Sequence, residues 1–208
     1  MSTLSVDMIE PVGTTLTLGQ SGDTVTIPVG GTFTNSGTAT GFASGNTYAS
    51  QWRLHTNLSC IGAAPGTIVA ANWEMPAVIE FPGVIGSGSP MVVNASTGAW
   101  TFPDTGVWEV YFQTTSTVST AHHTAHLYIY VTDDSGSNWV KAATCEDERS
   151  VNWERNNVLT YLFKVADKTT DFIRFSVGTS NGLGNEDLNT DPNANKTYAT
   201  FIKLGDAS

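Results

Sequence analysis

Cysteine is scarce in this chain: Cys60 and Cys145 are its only thiols in 208 residues. Two thiols so far apart make no disulfide framework, and both read as reduced, buried small hydrophobes. Positive charge is also thin. Nine Lys and Arg stand against nineteen Asp and Glu, a net charge of −10. No cluster of Lys or Arg is present to neutralise phosphates, which argues against nucleic-acid binding and against an electrostatic hold on a membrane. Long hydrophobic runs are missing too. No stretch reaches the roughly 18 apolar residues of a spanning helix, so no membrane insertion is expected. The opening MSTLSVDMIEPVG has no basic region followed by an apolar run. No secretory signal is therefore expected, and synthesis and assembly in a cytoplasm are.

Charged residues are 13% of the chain, against about 25% in ordinary soluble domains. The polar surface falls to Thr, Ser, Asn and Gly, which suit strands and turns better than exposed helices. No apolar stripe at helical spacing occurs. What is present is hydrophobic content of 40%, with aromatics at 10%, enough for a sizeable core.

The chain divides by composition. Residues 1–45 are expected to be an extended β-repeat arm and residues 46–208 a single body. In TLTLGQSGDTVTIPVGGTFTNSGTATGF, Leu16 and Leu18, Val25 and Ile27, and Phe33 sit in short alternating pieces, each followed by turn residues. Three such pieces do not bury an apolar face by themselves. The arm is either a Gly/Thr-rich leader or a stem covered by other copies or by a docking partner.

In the body, turn signals separate roughly eight to ten strand candidates, the pattern of an antiparallel sandwich. GTIVAANWEM reads as one strand before Pro76. WTFPDTGVWEVYF places two aromatic strands around a Pro-Asp-Thr-Gly turn. Alternation puts Trp108, Val110 and Phe112 on one face, and Val107, Glu109 and Tyr111 on the other. HLYIYV separates Leu127, Ile129 and Val131 from His126, Tyr128 and Tyr130 in the same way. Residues 181–196, NGLGNEDLNTDPNANK, read as a polar loop, and TYATFIKLGD as a closing strand.

Three of these pieces resemble the C1q/tumour-necrosis-factor-like jelly roll. FPDTGVWEVYF is similar to that family's Phe-x-x-Pro-x-x-Gly-x-Tyr signature. VLTYLFKVADKTTDFIRFSV is similar to its paired strands, with Ala166-Asp167 and a short extension where Gly-Asp is usual. TYATFIKLGD is similar to its last aromatic strand. The resemblance implies an all-β antiparallel jelly-roll sandwich that associates as a homotrimer through aromatic residues. Trp100, Phe102, Trp108, Tyr111, Tyr128 and Tyr130 are the packing and oligomer candidates. The arm resembles repeats in tail-fibre and other appendage proteins of tailed bacteriophages, which implies docking on other virion proteins through Leu16, Leu18, Val25, Ile27 and Phe33.

Candidate chemistry is thin. His122 and His126 share one strand face but stand roughly 13 Å apart, too far for one metal ion within a single copy. DDSGSN and GNEDLNTDPN hold oxygen ligands without the spacing of a calcium loop, so turn chemistry is the better reading and calcium the alternative. CEDERSVNWER reads as a solvated connection between strands rather than the paired carboxylates of a glycoside hydrolase. No catalytic residue, cofactor or metal ligand is assigned. Trp139 and Trp153, with Tyr128, are the candidates for stacking on sugar rings; packing is the alternative for each. The expectation is a non-enzymatic structural protein of a tailed-phage virion, a fibre or head decoration, whose body contacts host-surface glycans. A stand-alone carbohydrate-binding module is the alternative, and a polysaccharide hydrolase a more distant one.

Overall fold

Alternating sequence becomes extended chain throughout the body: among the described residues every regular element is a strand. The computed structural model describes residues 48–206, apart from 63, 79, 80, 83, 87, 88, 119–122, 150–152, 180–184, 192 and 193. These belong to one compact unit, Ala43–Ser208. The expected arm, with Leu16, Leu18, Val25, Ile27 and Phe33, lies outside the described residues, as do His122 and the His123 side chain.

In chain order the strands are β1 (Tyr48–Leu54), β2 (Leu58–Ile61), β3 (Thr67–Ile68), β4 (Trp73–Glu74), β5 (Ala77–Val78), β6 (Phe81–Pro82), β7 (Val84–Gly86) and β8 (Val92–Val93). There follow β9 (Trp100–Thr101), β10 (Gly106–Val118), β11 (His123–Thr132), β12 (Val140–Arg149), β13 (Arg155–Val165), β14 (Phe172–Thr179), β15 (Asn185–Leu188) and β16 (Tyr198–Gly205). The first sheet runs β2-β15-β10-β16-β1-β4, with β13 along the other side of β10 and β7 on β1. The second runs β12-β11-β14-β9-β8, with β3 also on β14. The pairings are antiparallel.

The Pro103–Gly106 turn carries the chain from β9 in the second sheet to β10 in the first. Rings on either side of it therefore face each other across the sandwich. Trp100 meets Phe201 of the first sheet at 5.0 Å between centroids, and Phe102 meets Trp108 at 5.1 Å. Phe112 stacks on Phe175 at 4.4 Å. Each large side chain enclosed this way stabilises the fold by roughly 1.5–3 kcal/mol through its area alone. Gly106 is required at the crossing. Its φ is +150°, and a Cβ there would lie 2.5 Å from the Gly205 carbonyl oxygen. Lys203, nearly enclosed, reaches out to Asp104 at 2.7 Å and Asp206 at 2.9 Å. Burial alone would lower its pKa, but those two carboxylates outweigh burial and hold the ammonium above its ordinary value.

The two cysteines are unpaired; Cys60 is buried and Cys145 half-buried. Burial, then the charges of Glu186 and Asp187, push the Cys60 thiol far up, so it stays protonated and inert.

Three segments differ from their sequence expectation. GTIVAANWEM does not form one strand: β3 pairs with β14 and β4 with β1, in different sheets, and Asn72 at φ +67° turns the chain between them. The loop 181–196 contains a strand, because Leu188 enters the core while Glu186, also buried, accepts the Ser116 hydroxyl hydrogen bond. β15 is thereby held between β10 and β2. The acidic run at 146–148 is no connection but the far half of β12, paired with β11, with Glu146 opposite His126.

Candidate functional site

The outward face of the first sheet is built by three neighbouring strands. Register places Leu162, Glu109 and Ile202 in one row, Thr160, Tyr111 and Thr200 in the next, and Val158, Gln113 and Tyr198 in a third. Alternation turns these side chains away from the core, because Trp108, Val110 and Phe112 take the inward positions of β10. Leu162 is 60% exposed, Leu204 44% and Val158 40%. Across outward positions 107–113, 158–164 and 198–204 only Glu109 and Lys164 carry charge. Tyr111 and Tyr198 stack at 5.8 Å in the middle of this face, a diagonal cross-strand pair. Both hydroxyls donate to Gln113 Oε1, at 3.3 and 3.1 Å. Burial, then the neighbouring Tyr111 hydroxyl, raises the Tyr198 pKa. The Tyr198 phenol stays neutral.

The outward face of the second sheet is different. His126, Tyr128 and Tyr130 form a row of rings, with His126 and Tyr128 stacked at 5.8 Å. His126 Nδ1 is 3.2 Å from Glu146 Oε1, near enough for an ion pair but not aligned as a hydrogen bond. The Arg174 guanidinium lies over two rings, 4.1 Å from the Trp139 centroid and 5.4 Å from that of Tyr130. Beside Arg174 opens a cavity of about 740 Å³, walled by the β8–β9 hairpin, β14 and the β11–β12 turn.

Asp134 holds that last turn. Its carboxylate accepts from the Thr132 hydroxyl at 2.6 Å, the Asn138 backbone N–H at 2.9 Å and the Asn138 amide at 2.6 Å. Those bonds, the Thr132 hydroxyl first, lower its pKa from 3.8 to about 2. The folded value lies below the unfolded one. The stabilisation is therefore complete above about pH 4 and is lost as pH falls through about 2. We expect the Asp134 carboxyl resonance to titrate near pH 2 in the folded protein, and Thr132→Val to move the midpoint up toward 3.8. A midpoint near 3.8 in the parent protein would show that the turn does not bind the carboxylate.

The sequence candidates separate on this frame. Trp100, Phe102 and Trp108 are buried; they pack the chain's own core and present nothing to a second copy. Two large rings two residues apart on one face of β9 and its extension point inward because the first sheet meets them there. Tyr128 and Tyr130 face outward yet are buried, so Tyr128 offers no open ring for stacking. Tyr111 stands on the open face of the first sheet. Trp153 is 62% exposed with Arg155 5.7 Å from its ring, whereas Trp139 lines the cavity. Trp139, Trp153 and Tyr128 thus form no common platform. Sequence reading passed over Tyr198, Leu162 and Arg174. The alternation of β13 and β16 carried the signal for the first two: apolar residues fall on both parities, more than one face needs.

Among the described residues no group of three or more His, Cys, Asp or Glu is placed to hold a metal ion. Glu146 and Glu148 both stand exposed on β12.

No family model matches the chain, and no curated protein matches it. Solved structures do. The Eiger TNF of S. frugiperda superposes with a TM-score of 0.56 at 16% identity, over 77% of this chain and 94% of that one. Murine APRIL at pH 5.0 gives 0.51 at 14% identity, over 76% and 98%. The fold is a TNF-like jelly roll. At such identity the likeness concerns architecture. The β1-β16-β10-β13 sheet and the β12-β11-β14-β9 sheet are the two layers of that jelly roll.

Proposed function

We propose that this chain is a structural protein of a tailed-bacteriophage particle, a homotrimeric fibre or decoration protein. In this reading residues 1–45 dock on other virion proteins and the jelly-roll body contacts glycans on the host surface. Assembly takes place in the host cytoplasm.

The outward face of the first sheet carries the trimer reading. Leu162, Val158, Ile202 and Leu204 share this face with the stacked Tyr111–Tyr198 pair, with little charge to keep a neighbour away. A second copy is the occupant that fits. A face of apolar side chains, hydroxyl-bearing rings and little charge matches itself, whereas a charged partner would leave its ions unpaired. The resemblance to C1q/TNF-like proteins supports three copies. The arm's resemblance to phage appendage repeats supports the virion setting. The small number of charged residues and the Thr/Gly-rich surface agree with it.

The solution mass tests the assembly. Light scattering on the full chain should give close to three times 22.1 kDa. Leu162→Glu should shift that mass toward a single copy while leaving the strand circular dichroism unchanged. A stable monomer in the parent protein would remove the trimer and favour the stand-alone carbohydrate-binding module. Deleting residues 1–45 tests the virion role: incorporation into particles should be lost while the body keeps its mass and its melting behaviour.

A further inference from the structure

The cavity on the second sheet holds an unanswered cation. Arg174 is an outward residue of β14, between Phe172 and Ser176, so its side chain must cross the surface of the sheet to reach water. Its Nε is buried and meets no acceptor, and no carboxylate among the described residues pairs with it. Burial of a guanidinium without a partner is costly, and here it lowers the Arg174 pKa. The Trp139 and Tyr130 rings stabilise the charge from their faces. They leave its in-plane N–H donors, the ones that bind anions, unused. In a chain of net charge −10, no acidic residue among the described ones lines this cavity.

The remaining lining is of two kinds. Ile68, Val92 and Phe172 give the apolar part of the lining, and Asn94, Ser96 and Thr97, between β8 and β9, give a polar part. In that polar part Asn94 Oδ1 accepts the Ser96 and Thr97 backbone N–H groups at 2.9 and 3.1 Å. Its amide N–H donors remain for a ligand. Thr97 Oγ1 accepts from Ala99 N at 3.3 Å, so its own proton is free to be donated. The volume, about 740 Å³, is that of a site for a molecule of one or a few rings.

We propose that this cavity binds a carboxylated sugar, a uronic-acid residue of a surface polysaccharide. The carboxylate lies along the in-plane edge of Arg174, and the apolar face of the pyranose rests on Val92 and Phe172. The ring hydroxyls meet Asn94 and Thr97. A neutral sugar leaves the guanidinium without a counter-charge, and a small anion without a ring leaves the apolar lining exposed. Trp139 acts as a positioning residue: its ring occupies the guanidinium's face and holds the plane for bidentate contact. The inference supplies the ligand class for the host-surface contact proposed above and rests on that reading for its setting. It needs neither the trimer nor the arm, so its failure is separable from theirs.

The test uses the full-length protein, titrated calorimetrically with D-glucuronate and D-galacturonate, with D-glucose, D-galactose and acetate as comparisons. At least one uronate should bind about tenfold or more tightly than its neutral counterpart and than acetate, the usual margin for a charge-assisted bidentate contact. Arg174→Gln should abolish that preference, and Arg174→Lys should keep only part of it, because an ammonium cannot bond in two parallel lines. Trp139→Phe should weaken uronate and acetate alike and leave the neutral sugars unchanged. Saturation-transfer NMR on the parent protein, with selectively labelled tryptophan, should place the sugar beside Trp139 and covers the case of an Arg174 variant that fails to fold. Equal affinity for uronate and neutral sugar would overturn the proposal. So would acetate binding as tightly as uronate, a folded Arg174→Gln with unchanged preference, or no uronate binding at 50 mM, a level at which about half occupancy marks a contact of under 2 kcal/mol.

Discussion

Trp100→Ala is expected to remove about 3–5 kcal/mol of stability, a large part of the 5–15 kcal/mol that holds a typical domain. Trp100 is 0% exposed. Its ring is met edge-on by Trp52 and Trp73, each at 5.3 Å, and by Phe201 and Phe175 at 5.0 and 6.2 Å. These partners come from β1, β4, β16 and β14, so the ring ties both sheets together at one point. The strand that carries it is only two residues long, and β8 and β14 hold it by short ladders. It cannot shift to fill the cavity without leaving its pairing, which places the cost toward the upper end. The Trp100 Nε1 N–H is buried without a partner. Trp100→Phe removes that donor together with part of the ring, so its loss should be smaller, about 1–2 kcal/mol. Denaturant unfolding at one fixed chain concentration separates the two variants from each other and from any change in assembly. A Trp100→Ala protein within about 1 kcal/mol of the parent would mean that the ring cluster is not the keystone of the core.

Gly66→Ala is expected to cost about 2–4 kcal/mol, from a left-handed backbone and from overpacking together. The backbone of Gly66 has φ +68°, and a Cβ there would lie 2.4 Å from the Val177 carbonyl oxygen and 2.7 Å from the Gly178 Cα. Both obstacles are main chain in β14, which is fixed on its other side by β11. No side chain can swing away to make room. The segment from Gly62 to Ile68 should lift instead. It would lose the bond from Thr179 N to Gly62 O at 2.9 Å and the ladder of Thr67 and Ile68 on β14. Faster hydrogen exchange at Thr179 would report this, with exchange in β10 little changed. Gly62→Ala is the control. Its φ is +101° but nothing lies within 4 Å of the added carbon, so only the backbone term remains, about 1 kcal/mol. Equal losses in the two variants would mean that close approach to β14 is not what Gly66 provides.

Much of the fold was legible because strand alternation is local. In VWEVYF and HLYIYV each side chain's face follows from its parity, and the structure keeps those faces. The Pro103–Gly106 crossing was legible as a turn, but not as a passage between sheets, because a turn's sequence does not say what the next strand pairs with. β15 was hidden in a polar segment: its single large apolar residue, Leu188, makes sense only beside the core that receives it. The split of residues 66–75 into β3 and β4 depends on which neighbours each two-residue piece finds. The acidic run looked solvated, and its two glutamates, Glu146 and Glu148, are exposed. That it is strand was decided by β11 alongside it, not by its own propensity.

By itself the sequence determined an all-β body with two-faced strands, a low charge and an aromatic core, because composition and parity act over a few residues. Which outward face carries little charge, and that the guanidinium of Arg174 lies over two rings with no acid among the described residues to answer it, were settled by the tertiary structure. Both depend on residues far apart in the chain, brought side by side by strand register, and register is a property of pairs of strands rather than of either one.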